Sequence, residues 1–284
     1  MNVEGYWPCE SGLEQFYGDL SHNLALPKGL NVPLLGQLVP GGIKPGTMVL
    51  VEYDPDSQWL SVATTIAGRF FQANNHVAYL VTARSPVDFK HSVSALGIDL
   101  AAAESTGRFA VEDWYTATLT GGRIEPADLH APVFEKVQGE LRVRSLRVAD
   151  LSLEWLKTSK TGPQQAYDIV DFWPPGSLII VESFSGILRF NEEKAFLEWM
   201  ESRVNPEERK RRSITIQGVV RGIHTEWLYK RMENISDGVI DLRVMERGDE
   251  TKNLLRLRSL KGQPHDTRWH EVNIKPNGEA TLVP

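Results

Sequence analysis

The feature that most constrains this chain is a series of short, almost unbroken apolar runs separated by stretches of helical periodicity. Thr47–Glu52 (TMVLVE), Val77–Thr82 (VAYLVT), Ser177–Val181 (SLIIV) and Ser213–Val220 (SITIQGVV) have the length and composition of strands buried on both faces. After the first run, Leu60, Ala63, Ala67, Phe70 and Phe71 recur three and four residues apart, which predicts an amphipathic helix. Ser85-Pro86 opens a second helix toward Leu96, with Gly97 placed to end it. Glu192 to Arg203 carries Ala195, Phe196 and Trp199 on one face, and Trp227 to Ile235 reads as a further helix before a strand from Gly238 to Val244. Arg108–Asp113 alternates like a strand, and Asp150 to Lys157 reads as helical.

Strands alternating with helices of this length imply parallel pairing through right-handed crossovers, hence a three-layer α/β architecture. From Lys252 onward the pattern changes. Leu254–Leu260, Arg268–Ile274 and Ala280–Val283, with a Pro276-Asn277-Gly278 turn, predict antiparallel hairpins that close the sheet at one edge. Residues 1–33 read as an N-terminal arm and 34–284 as the core domain, with 114–146 an insertion or long connection of no assigned structure. The arm carries Trp7, Phe16 and Tyr17 among prolines, which suits packing on its own core or on a neighbouring subunit.

With 41% hydrophobic and 24% charged residues among 284, the chain can bury a proper core and is not of disordered composition. The net charge of −6 argues against broad electrostatic capture of nucleic acid or anionic membrane. Cys9 is the single cysteine, so no internal disulfide is expected. No leader-like segment or apolar run of membrane-spanning length stands out, and the expected location is cytoplasmic.

The first strand, loop and helix form the place where an α/β chain would carry a phosphate-binding loop. Such loops read G-x-x-x-x-G-K-[ST], because glycines let backbone N–H groups wrap the phosphates, lysine reaches the terminal phosphates and the hydroxyl holds magnesium. Here the loop reads Tyr53, Asp54, Pro55, Asp56, Ser57, Gln58, Trp59, Leu60. Tyr53 and Gln58 stand at the glycine positions, Trp59 at the lysine and Leu60 at the hydroxyl.

Several stretches in order nevertheless resemble the KaiC-like branch of the RecA-superfamily ATPases, from about Leu34 to the C-terminus. LLGQLVPGGIKPGTMVLVE (34–52) is similar to that family's lead into its first core strand, and DPDS (54–57) keeps the frame of its loop. VAYLVTARSPVDFKHSVSALGIDL (77–100) resembles its next strand and helix, and SLIIVES (177–183) its Walker B strand. VVRGIHTEWLYKRMENISDGVIDLRV (219–244) and LRSLKGQPHDTRWHEVNI (257–274) resemble its C-terminal segment and basic hairpin.

The resemblance implies a RecA-like fold whose site has lost its chemistry. Trp59 replaces the lysine, and its indole offers one neutral donor and bulk that would plug the cradle. Packing of an aromatic on the sheet is the plainer reading of the same residue. Asp54 and Asp56 place negative charge where a polyphosphate would lie. The catalytic glutamate positions read Ala83 and Arg84, neither of which can act as a general base. The Walker B aspartate position is Glu182, followed by Ser183, and the expectation is a buried carboxylate paired with a cation rather than a vestigial metal ligand.

In the hairpin the family's two cross-subunit cations fall on Ser259 and Lys261, with Gly262, His265 and Arg268 retained from its pattern. The function implied by the resemblance is that of a catalytically inactive regulatory or scaffold subunit, with ATP and Mg²⁺ binding absent or weak. It also implies a homo-oligomer, a hexameric ring being one form, an active KaiC-like paralogue as a partner, and an archaeal source. Two alternatives stay open. One is a nucleotide-binding protein or weak ATPase with a site rebuilt from Ser57, Ser61 and Glu182. The other is an inactive ring that binds nucleic acid through Arg142, Arg144, Arg147 and residues 209–212.

The remaining polar residues give weaker signals. Glu207–Arg212 (EERKRR) reads as the solvated end of a helix. The seven histidines show no metal-ligand spacing; His265 and His270 flanking Asp266 come nearest. Ser183 and Ser185 with His224 lack the G-x-S-x-G elbow of a hydrolase.

Overall fold

A computed structural model describes residues 29–115, 135–137, 140–142, 146–147, 174–189 and 191–283. The strands in chain order are β1 (Met48–Tyr53), β2 (Val77–Val81), β3 (Phe109–Asp113), β4 (Glu135–Val137), β5 (Glu140–Arg142), β6 (Leu146–Arg147), β7 (Leu178–Val181), β8 (Ile214–Val220), β9 (Gly238–Arg247), β10 (Glu250–Leu260), β11 (His270–Ile274) and β12 (Ala280–Val283). The helices are α1 (Trp59–Gln72), α2 (Pro86–Ala95), α3 (Leu100–Ser105), α4 (Ser185–Leu188), α5 (Glu193–Trp199), α6 (Asn205–Arg211) and α7 (Glu226–Ile235). β4 and β5 pair as a separate hairpin, and the other ten strands form one sheet in the order β12-β11-β10-β9-β1-β8-β7-β2-β3-β6.

β1 lies between β8 and β9 and is parallel to both. Parallel pairing continues through β7, β2 and β3. β9 to β12 run antiparallel, as the tail predicted. Alternation along each strand splits the core into two layers. Val49, Val51 and Tyr53 join the α1, α2 and α3 side chains Val62, Ile66, Phe89, Val93 and Leu100 on one face. Met48 and Leu50 join Phe196, Trp199, Leu228 and Met232 of α5 and α7 on the other. The mixed α/β class, the largely parallel centre and the antiparallel edge therefore stand as expected.

Local chemistry explains the boundaries. Ser85 caps α2 by accepting the Asp88 N–H, with proline in the first turn, and Gly97 follows the helix at φ +80°, a conformation that suits glycine. Thr225 caps α7 through the Leu228 N–H. The stretch expected to be one helix from Glu192 to Arg203 is longer: α5 passes through a π-type turn at Met200–Val204 into α6. The charge run at 207–212 thus lies at the end of a helix, as expected, but it is not wholly solvated, because Glu208 and the Arg211 side chain are buried. In it Glu207 pairs with Lys210 and Arg211, and Arg212 ends the helix in the left-handed region.

Residues 30–43 are part of the core. Leu30 bridges Ile43, and Val32, Leu35 and Leu38 are buried. The expectations for residues 1–28, for the helix at 150–157, for Arg144 and for most of 114–146 lie outside the described residues.

Candidate functional site

The end of β1 delivers the loop 54–58 to the start of α1, where the phosphate position would be. Trp59 is buried, and its Nε1 donates to the Glu182 carbonyl at 2.6 Å. Its ring sits 5.8 Å from that of Tyr53, tilted by 30°. On the neighbouring strand β8, a Cβ at Gly218 would come within 2.7 Å of Trp59 Nε1 and 2.2 Å of the Glu182 carbonyl oxygen. Glycine is required there because the indole packs over the strand. A lone glycine inside the apolar run SITIQGVV was the sequence signal for this close approach, and sequence reasoning passed over it.

A loop that holds phosphate presents free backbone N–H groups, whereas much of this loop's donor set is committed to protein acceptors. The Asp54 N–H donates to the Leu242 carbonyl at 3.0 Å and the Ser57 N–H to the Asp54 carbonyl at 2.9 Å. The Gln58 N–H donates to Asn253 Oδ1 of β10 at 2.9 Å. Leu60, in the hydroxyl position, is part-buried against the core. Ser57 Oγ is buried without a hydrogen-bond partner. Pro55 and Asp56 are exposed.

The expectation that Asp54 and Asp56 jointly face the phosphate position needs correction at Asp54. Its carboxylate turns toward the sheet edge, where Oδ2 accepts the Val244 N–H at 2.9 Å and Oδ1 lies 3.2 Å from Arg221 Nη1. A paired, hydrogen-bonded carboxylate repels an anion far less than a free one. Asp56 is exposed on the loop.

Glu182 is fully buried and every oxygen is used. Oε1 accepts from the Tyr79 hydroxyl at 2.9 Å and from Arg84 Nε at 2.7 Å. Oε2 accepts the backbone N–H groups of Thr82 and Ala83, both at 3.0 Å. The cation that pairs with it is Arg84, which follows β2. Arg84 also donates to the Thr64 and Ser92 hydroxyls and lies over the Phe89 ring, with its carbon 5.1 Å from the centroid. Burial works against the Arg84 charge, but Tyr79 and Glu182 outweigh it and its pKa is raised. Burial, then the Glu182 charge, pushes the Tyr79 phenol well above its ordinary value. Tyr53 is pushed up to about 12, chiefly by burial. Ser183 extends the network: its N–H donates to Thr82 Oγ1 at 2.8 Å. Sequence reasoning found Glu182 and Arg84 separately and missed Tyr79 and Thr64, which join them.

Tyr79, Arg84 and Glu182 satisfy one another through hydrogen bonds. Ser185 and His224 do meet, Oγ to Nε2 at 2.9 Å, with Glu193 Oε1 3.6 Å from Nδ1. The Ser185 hydroxyl also accepts the Val220 N–H at 3.1 Å, and Glu193 accepts the Thr225 N–H at 3.0 Å. These contacts tie the β8–α7 loop to α4 and α5. Among the described residues no cluster of metal-ligating side chains occurs. No described helix is long and apolar enough to cross a membrane.

The edge loop between β10 and β11 holds most of the hairpin residues. Ser259 lies in β10 opposite Val239, next to a register shift. Lys261 Nζ donates to the Asn234 carbonyl at 2.8 Å, within its own chain. Gly262 turns the chain at φ +66°. His265 Nδ1 is 2.9 Å from the Gln263 carbonyl, and Arg268 Nη2 pairs with Asp266 Oδ2 at 2.6 Å. The Arg268 contacts hold the Asp266 carboxyl below the usual range. The Asp266 N–H in turn donates to the Leu38 carbonyl at 2.8 Å, so this loop is fastened onto the segment that precedes β1.

No protein-family model matches the chain. No curated protein matches its sequence either. Among solved structures it is similar to a KaiC-like protein from the hyperthermophilic archaeon Pyrococcus horikoshii, with a TM-score of 0.64 and 18% identity over 90% of this chain and 98% of that one. Together with the strand order, this likeness shows that the chain has a RecA-like α/β fold of the kind found in that KaiC-like protein.

Proposed function

We propose that the chain is a catalytically inactive KaiC-like protein that works through its surfaces, as a regulatory or scaffold subunit in contact with other proteins. The observation that carries this reading is the Trp59 indole, buried at the lysine position and hydrogen-bonded to the Glu182 carbonyl. Two further features support it. The Glu182 carboxylate is saturated by Arg84, Tyr79 and two backbone donors, which leaves little for a magnesium ion to bind. The loop's Ser57 and Gln58 N–H groups are taken up by the protein itself.

On this reading the retained elements are those that carry shape: the full sheet, the edge strands and the fastened loop at 261–269. A homo-oligomer, a ring among its forms, and an active paralogue as partner belong to the same proposal, as do a cytoplasmic location and the absence of a nucleotide cofactor. The buried, unpartnered Ser57 hydroxyl favours the second reading, in which nucleotide binds weakly through a rebuilt site. Light scattering with and without Mg-ATP, run beside a phosphate-release assay, tests the choice. The proposal expects an oligomeric mass that ignores nucleotide and no phosphate release above buffer. A mass that responds to Mg-ATP, or turnover abolished by Glu182→Gln, would overturn it.

A further inference from the structure

We propose that Ser185, His224 and Glu193 form an acyl-transfer site for a small ester without net charge, with Ser185 as nucleophile, His224 as general base and Glu193 as the residue that positions the imidazole. Ser185 stands just past the end of β7 and His224 just past the end of β8, two parallel neighbours in the sheet. The crevice outside the carboxyl ends of the strands is where open α/β sheets take their ligands.

The three side chains are in the order that the chemistry needs. Ser185 Oγ lies 2.9 Å from His224 Nε2, and Glu193 Oε1 lies 3.6 Å from His224 Nδ1. A carboxylate on the Nδ1 side favours the ring proton there, which leaves the Nε2 lone pair facing the serine. The Ser185 hydroxyl already accepts the Val220 N–H at 3.1 Å, so its own hydrogen serves Nε2. Burial lowers the His224 pKa against the opposing charge of Glu193, which keeps the ring neutral and able to take a proton. Glu193 is itself fixed by the Thr225 N–H at 3.0 Å and by the Thr225 hydroxyl, and the His224 N–H donates to the Tyr229 hydroxyl at 3.3 Å. The contact between Glu193 and Nδ1 is longer than a hydrogen bond, as such contacts often are before substrate arrives. A triad is defined by these roles and distances, so the absence of G-x-S-x-G does not decide the matter.

Ser185 and the adjacent Gly186 both keep partial exposure, which gives an ester a way in. His224 also lines a cavity of 260 Å³ beside α7. The cations of that cavity, Arg221, Lys230, Arg243 and Arg258, are all paired with carboxylates, so its wall is polar and favours neither sign of charge. In the proposed step Ser185 Oγ bonds to the ester carbonyl carbon while its proton passes to His224 Nε2. The bond from that carbon to the alkoxy oxygen breaks, and the alcohol leaves with the proton. Water then attacks the acyl-serine by the same route, which releases the carboxylic acid and restores the hydroxyl.

The inference uses none of the residues around Trp59 and involves no nucleotide, so it and the reading of an inactive nucleotide site fail separately. Its test is labelling of the folded full-length chain with a fluorophosphonate, with the modified residue mapped by peptide mass spectrometry and heat-denatured protein as the control. The expected result is one label per chain, on Ser185, that the denatured chain does not take up. His224→Gln is expected to slow labelling about a hundredfold or more. Glu193 is the charge that raises the imidazole pKa, and the Tyr229 ring faces the imidazole at 6.1 Å. Glu193→Gln should therefore move the acid limb of the labelling rate to lower pH, a change that loss of a purely structural contact would not produce. The mapping on wild-type protein needs no variant to fold. Absence of labelling, a label on another residue, or an unchanged rate in folded His224→Gln overturns the proposal.

Discussion

Arg84 and Glu182, 98 residues apart in the chain, meet as an ion pair with Arg84 Nε 2.7 Å from Glu182 Oε1, and the carboxylate is wholly buried. An internal cation thus stands beside the carboxylate at the end of β7. The charge of Glu182 is compensated by the fold itself.

Removal of the arginine should therefore be costly. Arg84→Met leaves a buried carboxylate without its counter-ion and is expected to destabilise by about 3–5 kcal/mol in urea unfolding. The double variant Arg84→Met/Glu182→Gln should cost clearly less than Arg84→Met alone, since no buried charge is then left unpaired. A single-variant cost below about 1 kcal/mol would place the pair among weak surface contacts.

The buried Trp59 indole makes a second prediction. Gly218→Ala places a methyl 2.7 Å from Trp59 Nε1 and 2.2 Å from a backbone oxygen that cannot easily move. Overpacking of this kind is expected to cost about 2–3 kcal/mol or more. Trp59→Ala, which empties the same space from the other side, should cost about 3–5 kcal/mol. Melting curves read both, and a neutral Gly218→Ala would mean the indole does not sit over β8.

How much of this was legible in the sequence depends on range. Strand and helix positions followed from local periodicity: TMVLVE, VAYLVT and SLIIV became β1, β2 and β7 within a residue or two. The placing of Trp59 just after β1, at the start of a helix, was legible because strand, loop and helix are contiguous. The direction of the Asp54 carboxylate was not, since Val244 of β9 and Arg221, just past the end of β8, which fix it, lie far along the chain. The pairing of Arg84 with Glu182 was hidden for the same reason, although the need for some cation near Glu182 followed from burial alone. The π-type turn at Met200–Val204 shows no period of its own, so α5 and α6 looked like one shorter helix with a charged end.

A third prediction concerns Glu112, which lies 1% exposed with Trp114 Nε1 donating to Oε2 at 3.0 Å. Burial pushes its pKa up to about 8. The folded state then holds a proton that the unfolded chain releases near the ordinary carboxyl value. The favourable contribution is complete below that value and is lost as pH rises toward 8. Wild-type stability should fall by on the order of 3 kcal/mol from this group between pH 5 and 8. Glu112→Gln should flatten that slope and be the more stable protein at pH 8 relative to its own value at pH 5. An identical pH profile for both would show that Glu112 is ionised in the folded state.

The central claim is that the strand-end site of this RecA-like fold no longer takes nucleotide. Calorimetric titration of the purified protein with Mg-ATP and Mg-ADP tests it most directly. The account predicts no saturable heat at the loop, and the same result for Glu182→Gln. Saturable 1:1 binding that Ser57→Ala or Glu182→Gln abolishes would contradict it.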